Sequence, residues 1–270
     1  MADSQKIPRL RGDLHSVKHY AKMIKYPTGE VDIIASSEPI FGSSGWESAE
    51  DYSQPKKYIP LPADRKEESS QEDINRSMRR ARSKLRRLAL ANDFRWFVTL
   101  TLDPQKVDTH SGADVVKKLN AWCSNMVQRK GLKYILVPER HKKGGIHFHG
   151  FFNDCLEVVD SGHTDKQGHT IYNLPQWSLG FTTAIELYDN YSKAVGYVCK
   201  YVGKQGEKPA GRWYYSGGDL KEPETDYLDI SPADLREMFP AQSFEFSTPV
   251  SKMAVVNGVV LEQVQATERR

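Results

Sequence analysis

The chain has 270 residues, of which 39% are hydrophobic and 27% are charged, and its formal net charge is +3. At about 150 residues per domain, this length predicts one or two domains. No apolar run approaches the ~18 residues of a membrane helix, and the N-terminus lacks the apolar region of a secretory signal. The three cysteines are widely spaced and form no Cys-x-x-Cys pair. This usage excludes a zinc ribbon, argues against a disulfide framework and favours a reducing cytoplasm.

The charge is unevenly distributed along the chain. Residues 69–92 contain seven basic and two acidic residues, a local charge of +5. Residues 219–238 contain seven acidic and two basic residues, a local charge of −5. A concentrated basic segment indicates a polyanionic partner.

The predicted elements follow one another along the whole chain. The N-terminal segment is rich in Pro, Gly and Ser and predicts an irregular arm with one strand near Val31–Ala35. A helix follows, capped by Ser69 or Ser70. The predicted helices are 70–91, 112–130, 175–179, 190–203 and 232–238. The predicted strands are 95–102, 132–139, 146–152, 181–188 and 212–216, with a polar loop over 153–173 and a hairpin turn at Asn257-Gly258.

This order of elements predicts an α+β fold, with a central antiparallel β-sheet and helices packed on it. Four segments are expected: an irregular arm over 1–68, a basic helix over 69–92, a central domain over 93–218 and an acidic C-terminal extension over 219–270.

The triplet His147-Phe148-His149 lies in a predicted strand, where alternation puts both imidazoles on one face. The preceding strand carries Glu139. A hairpin register centred on Lys143 puts Glu139 directly opposite His147, on that same face. Three such ligands suit Mg²⁺ or Mn²⁺, and Zn²⁺ is chemically compatible. The alternative is that both histidines only lie on a solvated sheet face.

A second cluster lies in the predicted helix 190–203 and just beyond it. Tyr197, Lys200, Tyr201 and Lys204 are spaced i, i+3, i+4 and i+7, which puts them on one helix face. A phenol is a poor nucleophile at neutral pH unless a cation lowers the cost of forming the phenolate. The alternative is an amphipathic helix whose tyrosines pack and whose lysines extend to solvent.

Three motifs occur in a fixed order: FVTLT (97–101), HFHG (147–150) with an upstream Glu, and YVCKYVGK (197–204). In this order they resemble the HUH endonuclease superfamily, whose two-tyrosine members initiate rolling-circle replication in single-stranded DNA bacteriophages and related plasmids. The resemblance covers about 95–204. It implies an HUH/RRM-like sheet, with FVTLT as a central strand and Thr99 and Thr101 as donors behind the metal ligands.

The resemblance also implies an activity. Glu139, His147 and His149 would hold a divalent metal at the scissile phosphate, and Tyr197 or Tyr201 would attack it. The products would be a 5′-phosphotyrosyl link and a free 3′-OH that primes replication, and the link would allow strands to be rejoined at termination. Lys200 and Lys204 would contact the phosphate or assist the metal.

Contacts with the single-stranded origin DNA are expected from basic side chains. These are Arg76, Arg79, Arg80, Arg82, Lys84, Arg86 and Arg87 in the basic helix and Lys142 and Lys143 in the hairpin turn. Unpaired bases would stack on aromatic side chains such as Trp177, Trp213, Tyr214 and Tyr215.

The chain lacks a phosphate-binding Gly-x-x-x-x-Gly-Lys-Ser/Thr loop. It would therefore depend on a host helicase, DNA polymerase and single-strand-binding protein in the bacterial cytoplasm, with no membrane association. Three alternatives stay open: a transposase or relaxase with the same chemistry, a catalytically silent single-stranded nucleic-acid-binding module, and a metal phosphodiesterase that uses water.

Overall fold

The structure, a computed structural model, describes residues 19–40, 70–141, 144–187, 191–204, 206–247 and 251–260. Within these ranges, four helices pack on two antiparallel sheets, so the predicted α+β class is confirmed. The helices are Gln71–Leu90 (α1), Gly112–Lys130 (α2), Tyr191–Tyr201 (α3) and Pro232–Met238 (α4). None of these helices is long and apolar enough to cross a bilayer.

The twelve strands are numbered in chain order. They are Ala21–Lys25 (β1), Glu30–Ser36 (β2), Trp96–Leu102 (β3), Tyr134–Arg140 (β4), Ile146–Phe152 (β5), Val159–Thr164 (β6), Thr170–Asn173 (β7), Gly180–Glu186 (β8), Tyr215–Gly217 (β9), Glu224–Leu228 (β10), Phe244–Ser247 (β11) and Lys252–Val260 (β12).

The chain divides into two compact units. One lies within Glu67–Pro223 and contains α1 to α3 and a seven-stranded sheet in the order β6-β7-β8-β3-β5-β4-β9. The other combines described residues from both sides of that segment. It contains α4 and a five-stranded sheet in the order β10-β1-β2-β12-β11.

The two faces of the seven-stranded sheet differ. Trp96, Val98 and Leu100 of β3 are buried in a core that includes Leu119 of α2. The opposite face carries the odd-numbered residues of β3 and β5, because side chains alternate along a strand. Helix α3 contacts β4 and β5 and also packs against α1. The predicted metal ligands therefore lie on the face away from α2.

Two predictions between β5 and β8 were wrong. The expected polar loop 153–173 contains the antiparallel strands β6 and β7, whose mostly exposed side chains lack the hydrophobic alternation of a core strand. The expected helix 175–179 consists of turns. The buried indole of Trp177 holds this segment by donating a hydrogen bond to the Thr101 carbonyl.

The terminal segments also differ from expectation. The strand expected near Val31–Ala35 lies within β2, but β1 was not predicted. The expected hairpin turn at Asn257-Gly258 was wrong, because β12 runs through it and pairs with β2 on both sides. The two residues form a bulge between Val256 and Val259, where Gly258 has a positive φ of 66° and donates to Asp32 Oδ1. An Asn-Gly pair suits a bulge as well as a tight turn, since both need positive φ.

Candidate functional site

The β4–β5 hairpin has the register that the sequence predicts. Glu139 is paired with His147, and Val137 with His149. The turn is closed by hydrogen bonds between His141 and the backbone of Gly145 and Gly144. An odd number of turn residues keeps the carboxylate and both imidazoles on one face.

Three ligand atoms converge at this point of the hairpin. Glu139 Oε2 lies 3.1 Å from His147 Nε2 and 3.0 Å from His149 Nε2, and the two nitrogens are 3.1 Å apart. Adjacent ligands of an octahedral cation lie about 3 Å apart when each bond is about 2.1 Å long. The spacing of these three atoms therefore fits a divalent metal, and the three side chains could hold one.

The protonation states suit metal binding as well. Burial lowers the pKa of His149 to about 4, and the neighbouring His147 lowers it further against the opposing effect of Glu139. Burial alone would raise the pKa of Glu139, but hydrogen bonds from Lys204 and His147 outweigh it and lower the pKa. At neutral pH the site thus offers a neutral imidazole at His149 and a carboxylate at Glu139, which are the metal-binding forms.

The neighbouring strand β3 supports one of the imidazoles. Thr99 Oγ1 lies 3.1 Å from His149 Nδ1. In the tautomer protonated on Nδ1, His149 donates to this hydroxyl and directs its Nε2 lone pair at the cluster. Thr101 is exposed and contributes its backbone carbonyl to Trp177.

Lys204 reaches the cluster from beyond the end of α3. Its Nζ donates to Glu139 Oε1 over 2.7 Å. The expected helix 190–203 ends earlier, at Tyr201, and Lys204 lies in the turn that follows. Gly203 permits this turn, because its φ is +72° and a Cβ there would lie 2.1 Å from Met78 Sδ of α1.

The two tyrosines of α3 lie beside the ligands. The Tyr201 ring stacks on His149 with 4.2 Å between ring centroids, and the Tyr197 and Tyr201 hydroxyls are 2.5 Å apart. Phe97 of β3 packs edge-on against Tyr197 and supports it from below. Burial raises the pKa of Tyr201, and the hydrogen bond with Tyr197 adds to this rise. Tyr201 is therefore protonated at neutral pH unless a further cation acts on it.

Lys200 is exposed on α3 and, among the described residues, it makes no hydrogen bond or ion pair. The structure thus brings together six of the seven predicted metal and nucleophile residues. These are Glu139, His147, His149, Tyr197, Tyr201 and Lys204.

The basic residues of α1 fall into different environments. Arg79, Arg80 and Lys84 are exposed, whereas Arg82, Arg86 and Arg87 are partly buried. Arg76 pairs with Glu72 and Asp73 of its own helix. Arg82 donates to the Val202 carbonyl at the end of α3 over 2.9 Å, a contact that no sequence pattern signals. Lys142 and Lys143 lie outside the described residues.

The aromatic side chains expected to stack on bases are largely inaccessible. Trp177, Trp213 and Tyr215 are buried, and the Tyr215 hydroxyl donates to the Ala210 carbonyl. Aromatic composition alone could not separate core from surface, because Trp and Tyr serve both.

Comparison with known proteins gives one match. No curated protein and no solved structure matches the chain. The model of one protein family matches residues 95–206, and this segment includes β3, the β4–β5 hairpin and the two tyrosines. The segment that carries the candidate site is therefore similar to the family of the replication-associated protein ORF2.

Proposed function

We propose that this protein is a rolling-circle replication initiator. It nicks single-stranded origin DNA through a tyrosine nucleophile, frees a 3′-OH primer and later rejoins the strands. The observation that carries the proposal is the stacking of Tyr201 on His149, which puts a phenol beside three converging metal ligands. The family match over residues 95–206 supports a role in replication.

The residues of the chain have separate roles in the proposed reaction. Tyr197 or Tyr201 attacks the scissile phosphorus, so a tyrosyl O–P bond forms as the P–O3′ bond breaks. The phenol proton passes to solvent, and the departing 3′ oxygen takes up a proton to become the 3′-OH primer. Lys204 holds Glu139 in place, and Thr99 holds His149.

Mg²⁺ or Mn²⁺ bound by Glu139, His147 and His149 would polarise the phosphate and favour the phenolate. The pair of tyrosines suits two successive cleavages. Their hydroxyls share one position, 2.5 Å apart, so either phenol can reach the same phosphate. While one tyrosine is linked to DNA, the other is available for the second cut. Since the covalent link keeps the phosphodiester energy, rejoining needs no ATP.

The test is a denaturing protein gel with single-stranded DNA from the replicon, labelled downstream of the cut. Wild type with Mn²⁺ or Mg²⁺ is compared with EDTA-treated protein, His147→Ala/His149→Ala, Tyr197→Phe, Tyr201→Phe and the double tyrosine variant. We expect a metal-dependent shifted band that only the double tyrosine variant and the histidine variant lose.

Other outcomes assign other functions. Loss of the band with a single tyrosine change keeps the nickase and removes the alternation of nucleophiles. Cleavage without a shifted band identifies water as the nucleophile and a phosphodiesterase. Binding without cleavage on substrates that span the replicon indicates a silent binding module. Strand joining to unrelated target DNA would instead indicate a transposase.

A further inference from the structure

Phe181 lies near the start of β8 with its side chain in solvent. It is 72% exposed, whereas the other exposed large hydrophobic side chains of the described residues lie between 46% and 49%. Single exposed hydrophobic residues are common and need no explanation by themselves. The position of Phe181 in the sheet is what links it to the site.

One row of the sheet connects Phe181 with the metal ligands. Phe181 is paired with Thr101, Thr101 with His147, and His147 with Glu139. Residues directly opposite each other in antiparallel strands share a face, so Phe181 projects on the same side as the ligands. At about 4.8 Å per strand, β8 lies about 10 Å from β5 across this row.

The face between Phe181 and the ligands is open and polar. Helix α3 contacts β4 and β5, while Thr101 of β3 and Thr183 of β8 are exposed. A cation lies close to the start of β8, because Lys106 Nζ donates to the Ser178 carbonyl over 3.0 Å. The surface thus consists of one aromatic ring, threonine hydroxyls and a nearby ammonium group.

We propose that Phe181 is a stacking platform for an unpaired base of the single-stranded DNA whose scissile phosphate lies at the Glu139–His147–His149 cluster. This inference rests on the proposed function. Aromatic rings on an open sheet, with cations near the backbone, are the usual means of binding single strands. At 3.4 Å per stacked nucleotide, 10 Å corresponds to about three nucleotides from the cut, or fewer in an extended strand.

A protein partner fits this surface less well. Protein interfaces need a contiguous buried patch, and the neighbours of Phe181 in the row and along β8 are threonines. A single ring among hydroxyls matches the area of one base better than that of a protein.

The first test measures affinity for fluorescein-labelled oligo(dT), since stacking tolerates any base. The protein carries Tyr197→Phe/Tyr201→Phe, so that binding is measured without cleavage. We expect Phe181→Ala and Phe181→Leu to raise Kd about 5- to 150-fold, and Phe181→Trp to keep the affinity. Phe244→Ala, which removes an exposed ring from β11, is the matched control and should bind normally.

Unchanged affinity in Phe181→Ala would overturn the inference. So would normal affinity in Phe181→Leu alone, because it would assign an apolar contact rather than stacking. If Phe181→Ala changes only the monomer–dimer equilibrium in sedimentation, the face belongs to a second copy and the inference is overturned.

The second test locates the base, with a cleaved oligonucleotide that carries one abasic site at successive positions. At one position within about three nucleotides of the cut, the abasic site should weaken wild-type binding but not that of Phe181→Ala. Equal effects in both proteins at every position would contradict the inference. The proposed function has its own readout, since it fails if wild type forms no covalent adduct, whatever Phe181 does.

Discussion

Lys204 donates a hydrogen bond to Glu139 over 2.7 Å, and this is the contact that joins the α3 region to the β4–β5 hairpin at the site. Glu139 uses one carboxylate oxygen for Lys204 and the other for His147 and His149. The carboxylate is therefore held on one side while its free direction faces the two imidazoles. This relationship makes the position of the tyrosines and that of the metal ligands depend on one another.

Lys204→Gln should lower the nicking rate about 10- to 100-fold, which is the usual effect of losing the partner of a ligating carboxylate. Lys200→Gln is the matched comparison, because Lys200 is exposed and does not contact Glu139. The measurement is the initial rate of adduct formation at saturating Mn²⁺. An equal loss in both variants would mean that general positive charge near DNA, rather than the contact with Glu139, is what matters.

Thr99→Val should weaken Mn²⁺ binding about 10- to 100-fold, because His149 loses the hydroxyl at its Nδ1. Thr101→Val changes the same residue type on the same strand and face but far from Nδ1 of His149, and we expect it to leave affinity unchanged. Electron paramagnetic resonance of free Mn²⁺ gives both affinities in the absence of DNA. Normal Mn²⁺ affinity in Thr99→Val would show that Thr99 does not orient the ligand.

Arg82→Met should reduce the free energy of unfolding by about 1–2 kcal/mol, because the charged hydrogen bond to the Val202 carbonyl is lost. Arg79→Met removes an exposed side chain of the same helix and should leave stability unchanged. Urea denaturation measures both. For DNA binding the expectation reverses: Arg79→Met should reduce the salt dependence by about one phosphate contact. A stable Arg82→Met protein would refute the structural role of Arg82.

Two glycines near the tyrosines should respond to alanine in opposite ways. Gly196 lies within α3 with open space around its Cβ position, so Gly196→Ala should stabilise the protein by about 1 kcal/mol. Gly203→Ala should destabilise it, because of the positive φ and the close approach of Met78. Thermal unfolding measures both. Equal shifts in the two variants would contradict the turn that brings Lys204 to Glu139.

The candidate site was largely predictable because its information is local. Alternation in HFHG and an odd turn fix the register of Glu139 and His147, and helical spacing places Tyr197 and Tyr201 side by side. The contact of Arg82 with Val202 joins residues far apart in sequence, and no periodicity encodes it. The pairing of β1 and β2 with β10 and β12 is equally non-local. The strands β6 and β7 were missed because their exposed polar residues carry no burial pattern.

The central claim is that a tyrosine of α3 becomes covalently linked to DNA. The most direct measurement is peptide mapping by mass spectrometry after the wild-type protein has reacted with origin single strand and Mn²⁺, and the DNA has been digested to nucleotides. We predict a 5′-phosphonucleotide on Tyr197 or Tyr201, and none in protein treated with EDTA. Cleaved DNA with both tyrosines unmodified, or a nucleotide on another residue, would contradict the account.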